Sequence, residues 1–199
     1  MKLFLIRHGE SEFNRIGEEA GSDSPLSERG LLQAEQLATW LRQRGPFDAF
    51  YCSSLVRARQ TADPIARQVQ APPMVVMDSL READIHLIDI LPQAAHPLDV
   101  LRQPGQPALP EAYDRFRQQI EGAIRTIVDA GMSGQHERVL VVSHGAALGT
   151  LIRCLVGCHR ISIWSLNCCV HLLAWTDNRW EMRYLNRVDF LDDELCRPR

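Results

Sequence analysis

The sequence predicts an α/β fold in which a mostly parallel sheet is covered by helices on both faces. Two short apolar runs, Leu3 to Ile6 and Val139 to Val142, are bounded by polar residues, which is typical of strands buried on both faces. Segments with helical periodicity lie between these runs and two weaker strand-like ones. Because alternating strands and helices form parallel sheets, this order predicts the fold class.

The strands and the first long helix follow in chain order. The weaker strand-like runs extend from Asp48 to Ser53 and from Met74 to Met77. Ahead of them, Ser27 is predicted to cap a helix that stops at Gly45-Pro46. The apolar face of that helix is predicted to contain Leu31, Ala34, Leu37, Ala38 and Leu41.

Three further helices are predicted. One follows Ser53-Ser54 and is expected to be interrupted or kinked near Pro64. The second has large apolar residues on a single face, namely Tyr113, Phe116, Ile120, Ile124 and Ile127. The third starts just after Gly145 and runs to about Val156.

The C-terminal part has a different pattern. Runs at 165–175 and 180–185 flank a four-residue turn and predict a hairpin, so at least one strand is expected to be antiparallel. Residues 83–110 carry five prolines and little periodicity. We expect them to form a long loop or cap within a single domain that spans residues 1–199.

Composition and charge narrow the classes of function. The chain has 199 residues, 45% of them hydrophobic and 24% charged, and a formal net charge of −3, which predicts a soluble protein without a nucleic-acid partner. Four apolar residues before Arg7 are too few for a signal peptide, and no run is long enough for a membrane span. We therefore expect a cytoplasmic protein without a membrane partner, and leave open whether it is a monomer or a homodimer.

The six cysteines are expected to be reduced and mostly buried, because a chain of this size needs no disulfides. Cys154, Cys158 and His159 lie close together in the sequence, but their spacing matches no paired zinc-binding pattern. We therefore expect no metal site.

Two histidines follow two matching apolar runs, in "LFLIRHG" and "VLVVSHG". Ligands of open α/β sheets bind beyond the carboxyl ends of the strands, so neighbouring parallel strands would bring His8 and His144 to one crevice. Gly9 and Gly145 would let the backbone turn sharply there and bring an N–H group close to a ligand. The alternative is that each histidine only caps a strand.

Arginines indicate which ligand this crevice takes. Arg7 adjoins His8, and "YCSSLVRARQTA" places Arg57 and Arg59 at the start of a helix. Guanidinium groups, a helix N-terminus and serine caps suit a phosphate. Residues two apart on a helix cannot both point inward, so we favour Arg57, which is nearer the helix start, and expect Arg59 to face solvent.

These residues support a phosphoryl transfer without a metal or other cofactor. Neighbouring guanidinium groups disfavour the cationic form of His8, so the neutral imidazole can act as a nucleophile. His144 and the arginines would stabilise the charge of the transferred group. A carboxyl group would protonate the leaving group and later activate water; Glu82 in "SLREAD" is favoured, with Asp84 and His86 as alternatives.

Five motifs in this order, "RHGESEFN", "DSPLSERGLLQA", "YCSSLVRARQTA", "SLRE" and "VVSHG", resemble those of the histidine phosphatase superfamily, also called phosphoglycerate mutase-like. The resemblance implies a three-layer α/β/α sandwich with one antiparallel strand and activity without a metal. It implies that His8 is phosphorylated and that Glu82 is the acid and base. Further phosphate-binding residues would be Arg7, Arg57 and His144, with an amide donor from Asn14.

The sequence departs from parts of the family pattern. Phosphoglycerate mutases of the family have a threonine, glycine and tryptophan before the "DSPLSERG" motif and a long insertion after the acid; here the threonine and tryptophan are missing and the chain is short. A phosphatase acting on a small phosphorylated metabolite is therefore favoured over a mutase. The 83–110 segment has one basic residue, Arg102, which predicts a small or partly apolar leaving group. A non-catalytic phosphate-binding module is the third alternative.

Overall fold

In the computed structural model, residues 1–84, 87–99 and 108–196 are described. Their strands form one six-stranded sheet in the order β3-β2-β4-β1-β5-β6. In chain order the strands are β1 (Lys2–Arg7), β2 (Ala49–Ser53), β3 (Val75–Met77), β4 (Arg138–Ser143), β5 (Val170–Thr176) and β6 (Arg179–Arg187).

Only β5 runs against the other five strands. The pairs β1–β4, β2–β4 and β2–β3 are parallel, whereas β5 is antiparallel to both β1 and β6. The prediction of a mostly parallel sheet with one antiparallel strand is therefore confirmed. Asp177 and Asn178 connect β5 to β6 and both have positive φ, which is the backbone geometry of a tight hairpin turn. β5 begins at Val170, five residues later than the sequence predicts.

The described residues contain seven α-helices and two short 3₁₀ turns, Gly17–Ala20 and Asp78–Leu80. The helices are α1 (Glu12–Ile16), α2 (Glu28–Arg42), α3 (Val56–Gln68), α4 (Leu87–Ile90), α5 (Glu111–Ser133), α6 (Gly145–Val156) and α7 (Asp193–Cys196). No described helix is both long and apolar enough to cross a membrane.

Each face of the sheet packs against a separate hydrophobic core. Leu3 and Leu5 of β1 pack with α5 and α6, whereas Phe4 and Ile6 pack with α2 and α3. Side chains alternate between the faces of a strand, so an uninterrupted apolar run supplies both cores. This arrangement confirms the three-layer α/β/α sandwich.

The structure corrects two details of the predicted helices. The hydroxyl of Ser27 accepts the N–H of Gly30 and caps α2 as predicted, but Leu31 is 47% exposed. The buried stripe passes through Gly30, from which position 31 is rotated by roughly 100°. The predicted interruption at Pro64 is wrong, because α3 continues through this buried residue. Packing of the α3 inner face against the sheet outweighs the hydrogen bond that proline removes.

The predicted cap falls partly outside the described residues. Its described part includes the short helix α4 and residues up to 99, whereas 85, 86 and 100–107, and with them the candidate His86, are not described. All six cysteines are free thiols; Cys52, Cys168 and Cys169 are buried and the other three half-buried. The described chain contains no group of three or more histidine, cysteine or acidic side chains arranged to hold a metal.

Candidate active site

The two histidines lie next to each other at the carboxyl edge of the sheet. Arg7 at the end of β1 is in register with Ser143 at the end of β4, so the residues that follow them are neighbours. The ring centroids of His8 and His144 are 5.1 Å apart, and both side chains are buried. The convergence expected from the matching motifs is therefore present in the structure.

The hydrogen bonds of His8 leave a lone pair on Nε2. The Nδ1 atom is 2.6 Å from the carbonyl oxygen of Gly9, which can only accept, so Nδ1 carries the proton. Arg57 donates its Nε–H to His8 Nε2 over 3.3 Å. The imidazole is therefore held as a neutral group whose Nε2 atom faces the guanidinium of Arg57.

The electrostatic environment keeps His8 neutral. Burial lowers its pKa well below the usual 6.5, and the nearby His144, Arg7 and Arg57 lower it further. A histidine with a lowered pKa retains its lone pair at neutral pH, which is the form that can attack phosphorus.

Arg57 and Arg59 point in opposite directions, as their spacing on α3 requires. Arg57 is buried and also donates Nη1–H to the carbonyl of Ser22 over 2.7 Å, whereas Arg59 is exposed. The predicted serine cap of α3 is wrong: Leu55 occupies the N-cap position. Asp23 accepts the first N–H group of α3, so this N–H group is not free to bind a phosphate. The donors that α3 contributes to the site are those of the Arg57 side chain.

His144 hydrogen bonds a serine at the end of β2. Its Nε2 atom lies 2.7 Å from Oγ of the fully buried Ser53. Its Nδ1 atom is buried and has no hydrogen-bond partner among the described residues. Burial lowers the pKa of His144 well below 6.5, with further lowering by Arg57 and Arg7, so this ring too is neutral.

Arg7 provides a second buried donor without a partner. Its Nη1 donates to the carbonyl of Ser165, but its Nε has no partner within the described part of the chain. Buried polar groups are nearly always hydrogen bonded. Two buried nitrogen atoms without partners among the described residues, Arg7 Nε and His144 Nδ1, therefore mark a candidate site for an anion with several acceptor oxygens.

Glu82 lies at the N-terminus of α6. Its carboxylate accepts the backbone N–H groups of Ala146 and Ala147 over 3.2 and 3.1 Å and that of Ala83 over 3.1 Å. Burial raises the pKa of Glu82, and these hydrogen bonds together with Arg7 oppose the rise. Glu82 can therefore hold a proton at a higher pH than an exposed carboxyl group and still be stabilised once ionised.

The alternative acid Asp84 is exposed, although it lines the same cavity as Glu82. An exposed carboxyl group lacks the burial that raises the pKa of Glu82. The structure therefore favours Glu82 over Asp84 as a proton donor, while the third candidate, His86, lies outside the described residues.

Gly9 has a role that differs from the predicted one. The N–H of Gly9 donates to Thr61 Oγ1, so it is not directed at a ligand. A Cβ atom on Gly9 would lie 2.6 Å from the carbonyl oxygen of Gly30, and one on Gly145 would lie 3.5 Å from Arg7 Nε. Gly9 thus permits close backbone packing, whereas a Cβ on Gly145 would make only an ordinary van der Waals contact with Arg7, and the predicted approach of the Gly145 N–H to a ligand stays a prediction.

Asn14 is not among the residues that line the cavity. Its Oδ1 accepts the N–H and hydroxyl of Ser11, which caps α1, and the amide of Asn167. Asn167 in turn donates to the carbonyl of His8. Asn14 is therefore tied to the site through Asn167, and the amide donor to the phosphate that the resemblance implies stays a prediction.

A cavity of about 900 Å³ opens beside these residues, large enough for a phosphate ester with a sizeable organic part. One part of its wall is apolar and includes Leu55, Leu87 and Trp164. Arg81 and Arg153 add positive charge to the wall. These arginines lie outside residues 83–110, and the small or partly apolar leaving group inferred from that segment stays a prediction.

Several residues of the site were not identified from the sequence. Ser53 follows the same pattern as Arg7 and Ser143, because all three end strands at one edge of the sheet, and this pattern could have identified it. Ser165 and Asn167 fall within the run predicted to be the first hairpin strand, but they lie ahead of β5, in the irregular segment that follows α6. Their contacts with Arg7 and His8 therefore had no detectable signal.

Comparisons with known proteins agree with this geometry. A family model described as histidine phosphatase superfamily (branch 1) matches residues 3–188. Adenosylcobalamin/alpha-ribazole phosphatase from Salmonella typhi is 33% identical over 174 residues, which cover 82% of this chain and 84% of that protein.

Solved structures show the same architecture. The alpha-ribazole phosphatase from Shigella flexneri has a TM-score of 0.67 and 29% identity, with 94% of this chain and 96% of that chain covered. Phosphoglycerate mutase from Bacillus anthracis str. Sterne has a TM-score of 0.70 and 22% identity, with 96% and 94% covered. At that identity the mutase is evidence for the fold alone, and it confirms the predicted phosphoglycerate mutase-like class.

Proposed function

The chain belongs to the histidine phosphatase superfamily, branch 1, and is a phosphomonoester hydrolase, and we propose that it works through a phosphohistidine formed at His8. The observation that carries the proposal is the orientation of His8, whose Nδ1–H is bound to the carbonyl of Gly9 and whose Nε2 keeps its lone pair. A nucleophile held in this way needs no base to activate it.

In the first step, His8 Nε2 attacks the phosphorus atom while the bond from phosphorus to the ester oxygen breaks. Glu82 gives its proton to the departing oxygen, so the alcohol leaves neutral. The hydrogen bond that the Nε–H of Arg57 makes to His8 Nε2 is replaced by one to a phosphoryl oxygen. Arg7 and His144 also donate hydrogen bonds to the phosphoryl group. Charge-assisted hydrogen bonds of this kind contribute about 1.5–3 kcal/mol each.

In the second step, water attacks the phosphohistidine. Glu82, now ionised, takes a proton from the attacking water, and the nitrogen–phosphorus bond breaks. Inorganic phosphate leaves, and His8 and Glu82 return to their initial protonation states. Every group in this scheme is a side chain of the protein.

We propose a small phosphorylated metabolite with a partly apolar alcohol as the substrate. Leu55, Leu87 and Trp164 give the cavity an apolar wall, and the relative from S. typhi is an alpha-ribazole phosphatase. We also propose that residues 83–110 form a substrate-binding cap on a single domain. Six free thiols suit a reducing compartment, so the cytoplasm is the proposed location.

The central experiment measures hydrolysis of p-nitrophenyl phosphate in the presence of EDTA by the native protein and by His8→Ala. His136→Ala is the matched control, because His136 precedes β4 at the opposite edge of the sheet. We expect activity in the native protein and the control and none in His8→Ala. Activity retained by His8→Ala, or activity lost on adding EDTA, would refute the proposal.

Radiolabelled substrate provides a direct test of the intermediate. Rapid quenching into base, in which phosphohistidine is stable, followed by proteolysis should place the label on the peptide that contains His8. Label on any other peptide would contradict the proposed nucleophile.

A panel of phosphate esters distinguishes the remaining alternatives. Release of inorganic phosphate from alpha-ribazole 5′-phosphate or alkyl phosphates supports a phosphatase. Isomerisation of 3-phosphoglycerate primed with a bisphosphate, without release of phosphate, would identify a mutase. Binding of phosphate without turnover of any ester would indicate a non-catalytic module.

A further inference from the structure

The buried hydroxyl of Ser53 lies behind His144 on the side opposite the unsatisfied Nδ1 atom. Ser53 Oγ is 2.7 Å from His144 Nε2, and it also accepts the backbone N–H of Leu55 over 3.3 Å. Ser53 is fully buried, so its hydroxyl is not in contact with bulk water. The direction of the bond between Ser53 and His144 therefore determines which nitrogen of His144 carries the proton.

Two arrangements of the protons are possible. If His144 Nε2 donated its hydrogen to Ser53 Oγ, the serine hydroxyl hydrogen would have no acceptor among the described residues, and Nδ1 would hold a buried, unused lone pair. If the serine hydroxyl donates to Nε2, only the Nδ1–H group lacks a partner. Buried polar groups without partners are costly, so the second arrangement is favoured.

The Nδ1–H group is then a buried donor without a partner beside His8. His144 Nδ1 and Arg7 Nε are the two buried donors near His8 that lack a partner in the described chain, and the His8 and His144 rings are 5.1 Å apart. An Nδ1–H group can donate to a phosphoryl oxygen, whereas an Nδ1 lone pair would repel it.

We propose that Ser53 is a positioning residue that fixes His144 as the Nδ1–H tautomer, so that this imidazole donates to the transferred phosphoryl group. The inference rests on the proposed function for its catalytic consequence, but the tautomer itself can be measured without turnover. Ser53 acts through His144 and does not touch the substrate.

Nitrogen-15 NMR of the labelled protein tests the tautomer directly. Long-range proton–nitrogen correlations distinguish a protonated ring nitrogen from an unprotonated one, and His144→Gln assigns the signals. We expect protonated Nδ1 and unprotonated Nε2 in the native protein, and a shift towards protonated Nε2 in Ser53→Ala. A native His144 with protonated Nε2 would overturn the proposal, whether or not the protein is active.

Kinetics test the consequence. Ser53→Ala should lose roughly 100-fold in kcat/KM for p-nitrophenyl phosphate, the order found when one donor to a developing oxyanion is lost. Ser54→Ala is the matched control, since the Ser54 hydroxyl binds Asp78 and not His144, and should keep the native rate. A Ser53→Ala protein that folds and retains native kcat/KM would refute the role.

A conservative variant separates positioning from packing. Ser53→Thr retains the hydroxyl and should restore both the Nδ1–H signal and most of the activity. If the added methyl group prevents folding, as judged by thermal melting, Ser53→Cys serves instead, because its thiol is a weaker donor of similar size. Ser53→Cys should give a tautomer ratio and a rate between those of the native protein and Ser53→Ala. A folded Ser53→Thr protein that lacks the Nδ1–H signal of His144 would contradict the proposal.

Discussion

Replacing Glu82 by glutamine tests the assignment of the general acid. The substitution keeps the size of the side chain and removes the proton that the carboxyl group supplies. Three backbone N–H groups, from Ala83, Ala146 and Ala147, hold the carboxylate in place. One glutamine oxygen can replace only part of this set, so thermal melting should accompany the kinetics.

The expected loss depends on the leaving group. General acid catalysis contributes typically 10²- to 10⁴-fold, equivalent to about 2.7–5.4 kcal/mol of barrier. An alkyl phosphate, whose alkoxide leaves poorly, should show this whole loss in Glu82→Gln. With p-nitrophenyl phosphate, whose phenolate leaves readily, we expect a much smaller loss in the phosphorylation step.

The pH profile gives an independent measure of the same roles. Glu82 must be protonated in the first step, so the rate falls as pH rises through its raised pKa. His8 must be neutral, so the rate falls as pH drops through its lowered pKa. Glu82→Gln should remove the alkaline fall in single-turnover phosphorylation and leave the acid fall unchanged.

Asp84→Asn is the control for the Glu82 experiment, because Asp84 lines the same cavity but is exposed. It should keep both the rate and the pH profile. A larger loss in Asp84→Asn than in Glu82→Gln, or an equal loss of alkyl and p-nitrophenyl activity in Glu82→Gln, would refute the assignment of Glu82.

Two further comparisons use paired positions. Arg57→Lys should lower kcat/KM at least 100-fold, because a lysine cannot reproduce the hydrogen bonds of Arg57 to His8 and a backbone carbonyl. Arg59→Lys, at an exposed position, should not lower kcat/KM. Equal effects of the two substitutions would contradict the inward role of Arg57. Gly30→Ala should lower the free energy of unfolding by about 3 kcal/mol or more, since its Cβ would lie within overlap of a backbone carbonyl. Gly122→Ala, where nothing lies within 4 Å, should raise it by about 0.5–1 kcal/mol; urea unfolding of both variants checks the pair.

The strands and the convergence of the histidines were predictable because they depend on local patterns. An apolar run buried on both faces marks a strand, and strand order brings the residues after β1 and β4 together without knowledge of any loop. Helical spacing allowed only one of Arg57 and Arg59 to point inward, and nearness to the helix start favoured Arg57. Each of these inferences needed only the sequence within one element and one general rule of topology.

Features that depend on contacts between distant segments were not predictable. The requirement for Gly9 comes from the backbone of Gly30, and the first N–H of α3 is taken by Asp23 from a loop. Pro64 was expected to interrupt a helix that tertiary packing keeps whole. In each case the local preference is outweighed by packing or by a hydrogen bond that the sequence pattern does not reveal.

The site divides its hydrogen-bond donors between two anions. The N–H groups at the start of α6 bind the carboxylate of Glu82, while Arg7 Nε and His144 Nδ1 have no partner among the described residues and would bind a phosphate in the proposed mechanism. Burial favours protonated Glu82 and raises its pKa, while the N–H groups at the helix N-terminus favour the ionised form and oppose the rise. A group that must donate a proton in one step and accept one in the next needs this balance, which a carboxylate bound by arginine alone would not have.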